Sequence, residues 1–352
     1  MELDPVVWRG KRVLVTGHSG FKGSWLVLML KELGADVVGL SLPLNHLPQP
    51  LYSDANIQSL LSTEHLLDIR DYNDVIDAVQ NSRVDYVFHL AAQAFVRRSV
   101  DNPLETITTN ITGTANVLLA SLSLNTVQGI TVATTDKVYQ NFGNQKPFIE
   151  SDRLGGKDPY SASKAATELI VDSLSSTCNP NKIPITTVRA GNVIGGGDWG
   201  ADRLIPDLVK ALISDETVNI RNPNSSRPWQ HVLDCLRGYL LIAQSHFDKK
   251  ISIPNSINFG PSQSLTVIEV VHLFEAAFNK KIKYNNLELR IPESTRLELD
   301  SKLARDYLGW QTSFSTTEAI NQTAKWYAAF AGGANQKELM ESEITKFREN
   351  RW

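Results

Sequence analysis

The sequence predicts an α/β fold in which a doubly wound parallel sheet, covered by helices on both faces, carries a smaller, interleaved C-terminal domain. Three observations point to it. Short apolar runs alternate with helical segments through residues 1–190, a glycine-rich turn joins the first run to the first helix, and the composition changes at a second glycine-rich stretch that begins at Ala190.

In chain order, Lys11 to Thr16 reads as a buried strand, and Gly17-His18-Ser19-Gly20-Phe21-Lys22-Gly23 leads into an apolar helix from Ser24 to Leu33. Further strands are expected at Asp36 to Leu40, His65 to Asp68, Val84 to Leu90, Ile130 to Thr134 and Ile185 to Arg189, with helices at Tyr72 to Gln80, Leu104 to Leu124 and around Tyr160. The glycine-rich run Ala190 to Trp199 then leaves the sheet. A helix from Leu204 to Ile213 follows, and Ile257 to Gly260 looks like a strand returning to the sheet. The expected division is a dinucleotide-binding domain over 1–190, with a returning segment near 230–262, and a mainly substrate-binding domain over 191–352.

Composition narrows the function. Thirty-five Lys+Arg against 38 Asp+Glu give a net charge of -3, so no global basic field draws the chain to nucleic acid or an anionic membrane. Cys178 and Cys235 stand far apart and in no metal-ligand spacing, which fits a reducing compartment, and no metal is expected. No apolar run reaches the ~18 residues of a membrane span, and the N-terminus lacks a signal-peptide core, so a cytoplasmic protein is expected.

Glycines at 17, 20 and 23 allow a tight turn and let backbone N–H groups approach a pyrophosphate at the positive end of a helix. Ligands of such sheets bind at the carboxyl ends of the strands. Asp68, Ala91-Ala92-Gln93 and Thr134 to Lys137 all fall there. Asp36 lies at the usual distance for a ribose-binding acid but begins its strand, whose end offers Leu40-Ser41. No Lys or Arg occurs from Gly34 to Thr63 to meet a 2′-phosphate, so NAD is expected rather than NADP. Tyr160 and Lys164, four apart on a helix, share one face. The ammonium is expected to draw the phenol toward neutrality and make it a base for a sugar or alcohol hydroxyl.

Gly17 to Gly23, Ala91-Ala92-Gln93, Asn110, Tyr160 to Lys164 and Arg189-Ala190-Gly191-Asn192 together resemble the Rossmann-type extended short-chain dehydrogenases/reductases over nearly the whole chain. Gly17 to Trp25, Thr135-Asp136-Lys137-Val138-Tyr139, Gly195 to Trp199 and Arg227-Pro228-Trp229-Gln230-His231-Val232 narrow the resemblance to the nucleotide-sugar 4,6-dehydratases, most closely the branch acting on CDP-glucose. Many dehydratases carry Asp-Glu where this chain has Asp136-Lys137.

The resemblance implies NAD held by Gly17, Gly20, Phe21, Lys22, Gly23, Asp68, Ile69, Ala91, Ala92, Asn110, Tyr160 and Lys164. It also implies CDP-glucose held by Gln93, Asn192, Arg203, Arg227 and Arg290. Tyr160 is expected to take the C4 hydroxyl proton, and Thr135 to bond the C4 oxygen. Lys137, with a pKa lowered by burial, is expected to remove the C5 proton while protonated Asp136 donates to the C6 oxygen. Trp229 and His231 could bind substrate or simply pack, and His18 is expected to be structural. A homodimer or homotetramer is implied, paired through the helix of Tyr160 and the segment Leu104 to Leu124. Competing readings are a dehydratase for dTDP- or GDP-sugars, an epimerase or reductase, and a catalytically silent nucleotide-binding scaffold. The intact Thr135, Asp136, Tyr160 and Lys164 speak against the last.

Overall fold

The structure, a computed structural model, describes residues 1–44, 50–143, 146–249, 251–287 and 297–351. Its core is a seven-stranded sheet of β1 (Arg12–Thr16), β2 (Asp36–Ser41), β3 (Thr63–Leu66), β4 (Tyr86–His89), β5 (Gly129–Ala133), β6 (Ile185–Ala190) and a late strand, Ser256–Phe259. All neighbours pair in parallel. Between β6 and the late strand come β7 (Asn192–Ile194), β8 (Val218–Arg221), β9 (Ser226–Arg227) and β10 (Trp229–His231), which makes the late strand β11.

The sheet order is β11-β6-β5-β4-β1-β2-β3. Its direction of winding reverses between β1 and β4, and at that switch point the connecting loops part to leave a crevice. Strands covered on both faces need apolar residues at successive positions. Leu14, Val15, Val37, Val38, Val87 and Phe88 are accordingly all buried. Past the single turn Pro5–Trp8, the first long helix, Phe21–Glu32, is enclosed from Gly23 to Leu30, so its sequence there is apolar all round.

Two expectations shift. β3 begins at Thr63 and ends at Leu66, so Asp68 lies in the loop beyond the strand. The helix expected over Leu104 to Leu124 is instead Pro103–Ile107, a π-helical turn at Thr108–Thr112, and Gly113–Leu122. The wider turn leaves the Asn110 carbonyl to accept from Thr114 Oγ1 at 2.6 Å and Thr167 Oγ1 at 2.9 Å. The second of these bonds ties the run to Pro159–Thr177, the helix of Tyr160.

The C-terminal half lays three small two-stranded ribbons over the crevice side: β7 with β10, β9 with β12 (Leu265–Thr266), and β8 with β13 (Tyr284–Leu287). The helices Val267–Phe278 and Thr316–Ala331 each start with a capping box, Thr266 with Glu269 and Ser315 with Glu318. A last helix, Gln336–Arg351, turns Met340, Ile344 and Phe347 into the core that also contains the first long helix. Among the described residues no helix is long and apolar enough to cross a membrane.

Candidate active site

The glycine turn packs so tightly against β4 that side chains are excluded. A Cβ on Gly17, whose φ is +73°, would lie 2.8 Å from Ala91 N, and one on Gly23 would lie 2.1 Å from Gly17 O. Gly20 caps the first long helix without any side-chain bond, so that helix presents open N–H groups at its positive end. The loop, Ala91 and the helix end thus form a cradle that fits a dinucleotide pyrophosphate. The Lys22 side chain turns inward, 5.7 Å over the Tyr239 ring. Beyond β3, Asp68 is held by Arg70, whose Nε lies 2.9 Å from Oδ2, and Ile69 is buried against Gly113, where a Cβ would come within 2.6 Å of its side chain. His18 is structural, bonding Glu64 at 2.8 Å with Tyr52 edge-on to its ring.

Tyr160 and Lys164 lie near the start of Pro159–Thr177. Asp158 begins that helix by accepting from Ser161 N at 2.9 Å, and Pro159 supplies a fixed φ at the first position. Both side chains are buried. Lys164 Nζ donates to Ala133 O at 3.0 Å, and burial, reinforced by Lys22, lowers its pKa to about 8, against the smaller opposing pull of Glu168.

The sequence expectation for Tyr160 is corrected here. Its pKa is raised, because burial disfavours the phenolate more than the surrounding cations favour it. The cation acting most strongly on it is Lys137; Thr135 also supports the charged form by a hydrogen bond, and Arg203 adds a smaller pull.

Thr135 opens a short 3-10 turn, Asp136–Val138, that follows β5. Its hydroxyl donates to Asp136 Oδ1 at 3.0 Å and accepts from Lys137 N at 3.4 Å. Lys137 Nζ lies 3.3 Å from the same carboxylate oxygen. Asp136 is only 2% exposed, whereas Lys137 is partly open to the crevice. The lysine pKa is therefore raised: attraction to Asp136 outweighs burial, Tyr160 adds to it and Arg227 opposes it. This reverses the expectation of a lysine made basic by a lowered pKa.

The residues expected to hold substrate divide into groups. Arg203 stacks over Phe95 at 5.1 Å and pairs with Asp198 at 2.8 Å, while its charge reaches Tyr160. Arg227, on β9, is close enough to Lys137 to act on its titration. Asn192 begins β7, opposite Trp229. Arg290 lies outside the described residues.

Gln93 spends its amide within the protein. Nε2 donates to Phe95 O at 3.0 Å and Thr106 Oγ1 at 2.7 Å, and Oε1 accepts from Phe95 N at 2.6 Å. Asn110 likewise bonds Gln93 N at 2.8 Å, Gln93 O at 3.1 Å and Ser163 Oγ at 2.9 Å. These two side chains shape the crevice wall from behind rather than offering free amides to ligands. Trp229 is buried and donates to Leu265 O at 3.2 Å, and His231 lies 3.1 Å from Glu343 with its Nδ1 accepting from Leu233 N, so both are packing residues.

One group escaped the sequence reading. His89 ends β4 fully enclosed, with Nδ1 2.8 Å from Thr16 Oγ1 and Nε2 2.9 Å from Thr114 Oγ1. Burial, aided by the nearby charge of Lys164, drops its pKa to about 3, so it stays neutral beneath the lysine. A histidine closing an apolar strand is the signal that could have found it.

A family model described as GDP-mannose 4,6 dehydratase matches residues 14–323. The chain belongs to that family. Among its relatives is the CDP-glucose 4,6-dehydratase of Salmonella typhimurium, 36% identical over 98% of either chain. The dTDP-glucose 4,6-dehydratase of Haemophilus influenzae is 28% identical over 90% of this chain and 97% of its own. Among solved structures, the UDP-glucose-4-epimerase of Stenotrophomonas maltophila, with bound NAD and formylated UDP-arabinopyranose, superposes with a TM-score of 0.81 at 25% identity, covering 92% of this chain and all of that one. A dTDP-glucose 4,6-dehydratase from Streptomyces venezuelae, at 24% identity and a TM-score of 0.77 over 92% of this chain and 98% of that one, shares the fold. Both solved structures thus share with this chain the fold on which the site is mounted.

Proposed function

We propose that this protein is an NAD-dependent hydro-lyase converting CDP-glucose to CDP-4-keto-6-deoxyglucose. The observation that carries this reading is the Asp136–Lys137 ion pair, its carboxylate buried and its ammonium partly open to the crevice, acting on Tyr160. An epimerase needs one group to take and return the proton of a C4 hydroxyl. Elimination of water across C5 and C6 needs a further acceptor and a further donor, and the ion pair holds one of each. Near full-length similarity to a relative named for CDP-glucose supports the choice of nucleotide.

Bound NAD would supply the acceptor for hydride from C4 and, once reduced, the donor of hydride to C6. Gly17, Gly20 and Gly23 give it access to the helix end, with Phe21, Lys22, Asp68, Ile69, Ala91 and Ala92 lining its path and Lys164 holding its ribose. Tyr160 takes the C4 hydroxyl proton, its anionic form supported by Lys137, by the Thr135 hydroxyl and by Arg203. Thr135 thereby stands beside the C4 oxygen.

The C4 ketone acidifies C5–H. In the ion pair the Asp136 carboxylate is the acceptor for that proton and the Lys137 ammonium donates to the departing C6 oxygen, the reverse of the roles expected from sequence. Proton count is kept: C5 gives a proton to Asp136, Lys137 gives one to O6 and water departs, and once hydride reaches C6 the Asp136 proton returns to C5 while the proton held by Tyr160 recharges Lys137. Arg227, Arg203, Asn192 and Arg290 are assigned to the diphosphate and sugar, the arginine forks suiting paired phosphate oxygens. Gln93 and Asn110 are assigned to holding the crevice wall.

A homodimer, able to pair again as a tetramer, is supported by exposed Val100, Leu104 (72% exposed), Ile107 and Leu169 (62%) on the helices Val96–Asp101, Pro103–Ile107 and Pro159–Thr177. The product class places the enzyme in cytoplasmic deoxysugar formation for surface polysaccharide.

The test is incubation with CDP-, dTDP-, GDP- and UDP-glucose, following the alkali-induced ultraviolet absorbance of a 4-keto sugar. Signal from CDP-glucose with loss of the 6-hydroxyl supports the assignment. Silence with all four sugars refutes dehydratase function, and signal from another sugar alone moves the specificity.

A further inference from the structure

Behind the catalytic residues lies a polar cluster with no outlet to the crevice. Glu168 is on the helix of Tyr160 and Lys164, four residues past the lysine and on the same face. Its buried carboxylate accepts from Thr134 Oγ1 at 2.6 Å, Thr187 Oγ1 at 2.6 Å, Arg189 Nε at 3.0 Å and Arg189 Nη2 at 2.9 Å. Arg189 ends this ladder on β6, and its other side meets Tyr139: Nη1 donates to the Tyr139 hydroxyl at 2.8 Å and to Glu150 O at 2.9 Å, with the guanidinium 5.1 Å from the Tyr139 ring. Tyr139 is fixed in turn by Asn258 Oδ1 at 2.7 Å and by stacking on Phe148 at 4.8 Å.

Thr134 and Tyr139 are the residues on either side of Thr135-Asp136-Lys137-Val138. One buried ion pair therefore grips both ends of the segment that carries Asp136 and Lys137 while standing on the helix that carries Tyr160 and Lys164. A buried arginine–carboxylate pair is costly to desolvate and is weak evidence for stability alone. Its retention is explained if it fixes geometry.

We propose that Glu168 and Arg189 are positioning residues that set the elimination pair, Asp136 and Lys137, in register with the hydride-transferring Tyr160. The inference rests on the dehydratase reading above. It requires that loosening the grip impair elimination more than oxidation at C4, because the proton acceptor and the cofactor lysine, Tyr160 and Lys164, share one helix and take only electrostatic and hydrogen-bond support from the turn, whereas elimination needs the reacting groups of the turn themselves in register with that helix. Misplacement by about 1 Å costs on the order of 100-fold in rate.

The experiment uses the full-length protein loaded with NAD and a single turnover of CDP-glucose. Absorbance at 340 nm follows the reduced cofactor, and product analysis follows loss of the 6-hydroxyl. Two mild variants, Thr134→Val and Tyr139→Phe, each remove one hydroxyl at one end of the segment, the first with its bonds to Glu168 and Val188 O, the second with its bonds to Arg189 and Asn258. A third, Glu168→Gln with Arg189→Met, removes both charges together so that neither is left buried alone. The expected result is that reduced cofactor, transient in the native enzyme, persists in the variants as elimination slows about 10-fold in the mild pair and more in the double variant.

If the variants lower the melting temperature but leave the ratio of oxidation to elimination unchanged, the residues are merely structural and the proposal is overturned. Should the double variant not fold, the two mild variants decide by the same ratio. If the native enzyme itself yields no 6-deoxy product, the dehydratase reading fails instead, an outcome the native control separates from failure of the positioning role.

Discussion

Two regions of the crevice each contribute a lysine, one buried and one partly open, and their pKa values move in opposite directions. On the helix Pro159–Thr177, Lys164 has a backbone carbonyl for its partner, 3.0 Å away, and its pKa falls to about 8. On the turn after β5, Lys137 has the Asp136 carboxylate at 3.3 Å and its pKa rises. Loss of water acts on both, and the presence of an acid decides the sign. The comparison teaches that an active-site lysine is a base or an acid according to its nearest carboxylate. It turns Asp136–Lys137 from a lysine base with a carboxylic acid into a carboxylate base with an ammonium acid.

The largest expected effect falls on the helix side. Tyr160→Phe removes the group that takes the C4 proton, so reduced cofactor should form at least about 10²- to 10⁴-fold more slowly in stopped-flow absorbance with CDP-glucose. Normal oxidation by this variant would move the proton acceptor to the turn and erase the division between the two regions.

On the turn side, Asp136→Asn keeps shape and removes the carboxylate. Oxidation at C4 should persist while formation of the 6-deoxy sugar falls by about 10²-fold or more, measured by product NMR. The variant also frees Lys137 from the attraction that raises its pKa, so any residual elimination should be greatest at a pH where the ammonium remains charged.

Lys137→Met links the regions. Lys137 is the cation that most lowers the Tyr160 pKa against the effect of burial, so its removal should carry the phenol still higher. The rise of the C4 oxidation rate with pH should therefore move to higher pH in the variant, read from a rate profile in the single-turnover assay. An unmoved profile would show that Tyr160 is set by other groups.

The smallest effect is on stability. An unfolded lysine keeps its proton to about pH 10.5. Native Lys164 loses it near 8, so the unfolded state binds more protons between these values and stability rises with pH across that window. Lys164→Met escapes this cost. It should melt higher than the native protein near pH 7.5, by an amount equivalent to at most about 3 kcal/mol, with the advantage shrinking as pH approaches 10. Thermal melts at both pH values check it, and a pH-independent difference would mean that Lys164 is not held below its ordinary value. The raised Lys137 has the opposite sign, contributing stability that is lost as pH climbs through its native pKa.

What the sequence disclosed was local. The spacing of Gly17, Gly20 and Gly23 and that of Tyr160 and Lys164 each lie within one turn or one helix, so neighbours in the chain are neighbours in space. The strands of the central sheet were legible for the same reason, apart from β3, which begins two residues before His65 because Thr63 and Glu64 carry no apolar signal, whereas the short ribbon strands from β7 onward gave no run long enough to read.

What stayed hidden depends on distant partners. Nothing around Glu168 announces that Arg189, Thr187 and Thr134 converge on it, nor that the amide of Gln93 is used up by Phe95 and Thr106. The direction of a lysine pKa was misread because the sequence shows that Asp136 is adjacent but not that its carboxylate and the ammonium turn toward each other.

The roles of the turn can be separated from oxidation altogether by supplying CDP-4-keto-6-deoxyglucose, whose C5 hydrogen is already acidified by the ketone. In D2O the native enzyme should exchange that hydrogen for deuterium, Asp136→Asn should not, and Lys137→Met should retain exchange because the carboxylate remains. Loss of exchange in Lys137→Met together with its survival in Asp136→Asn would make the lysine the C5 base and contradict the assignment drawn from the ion pair.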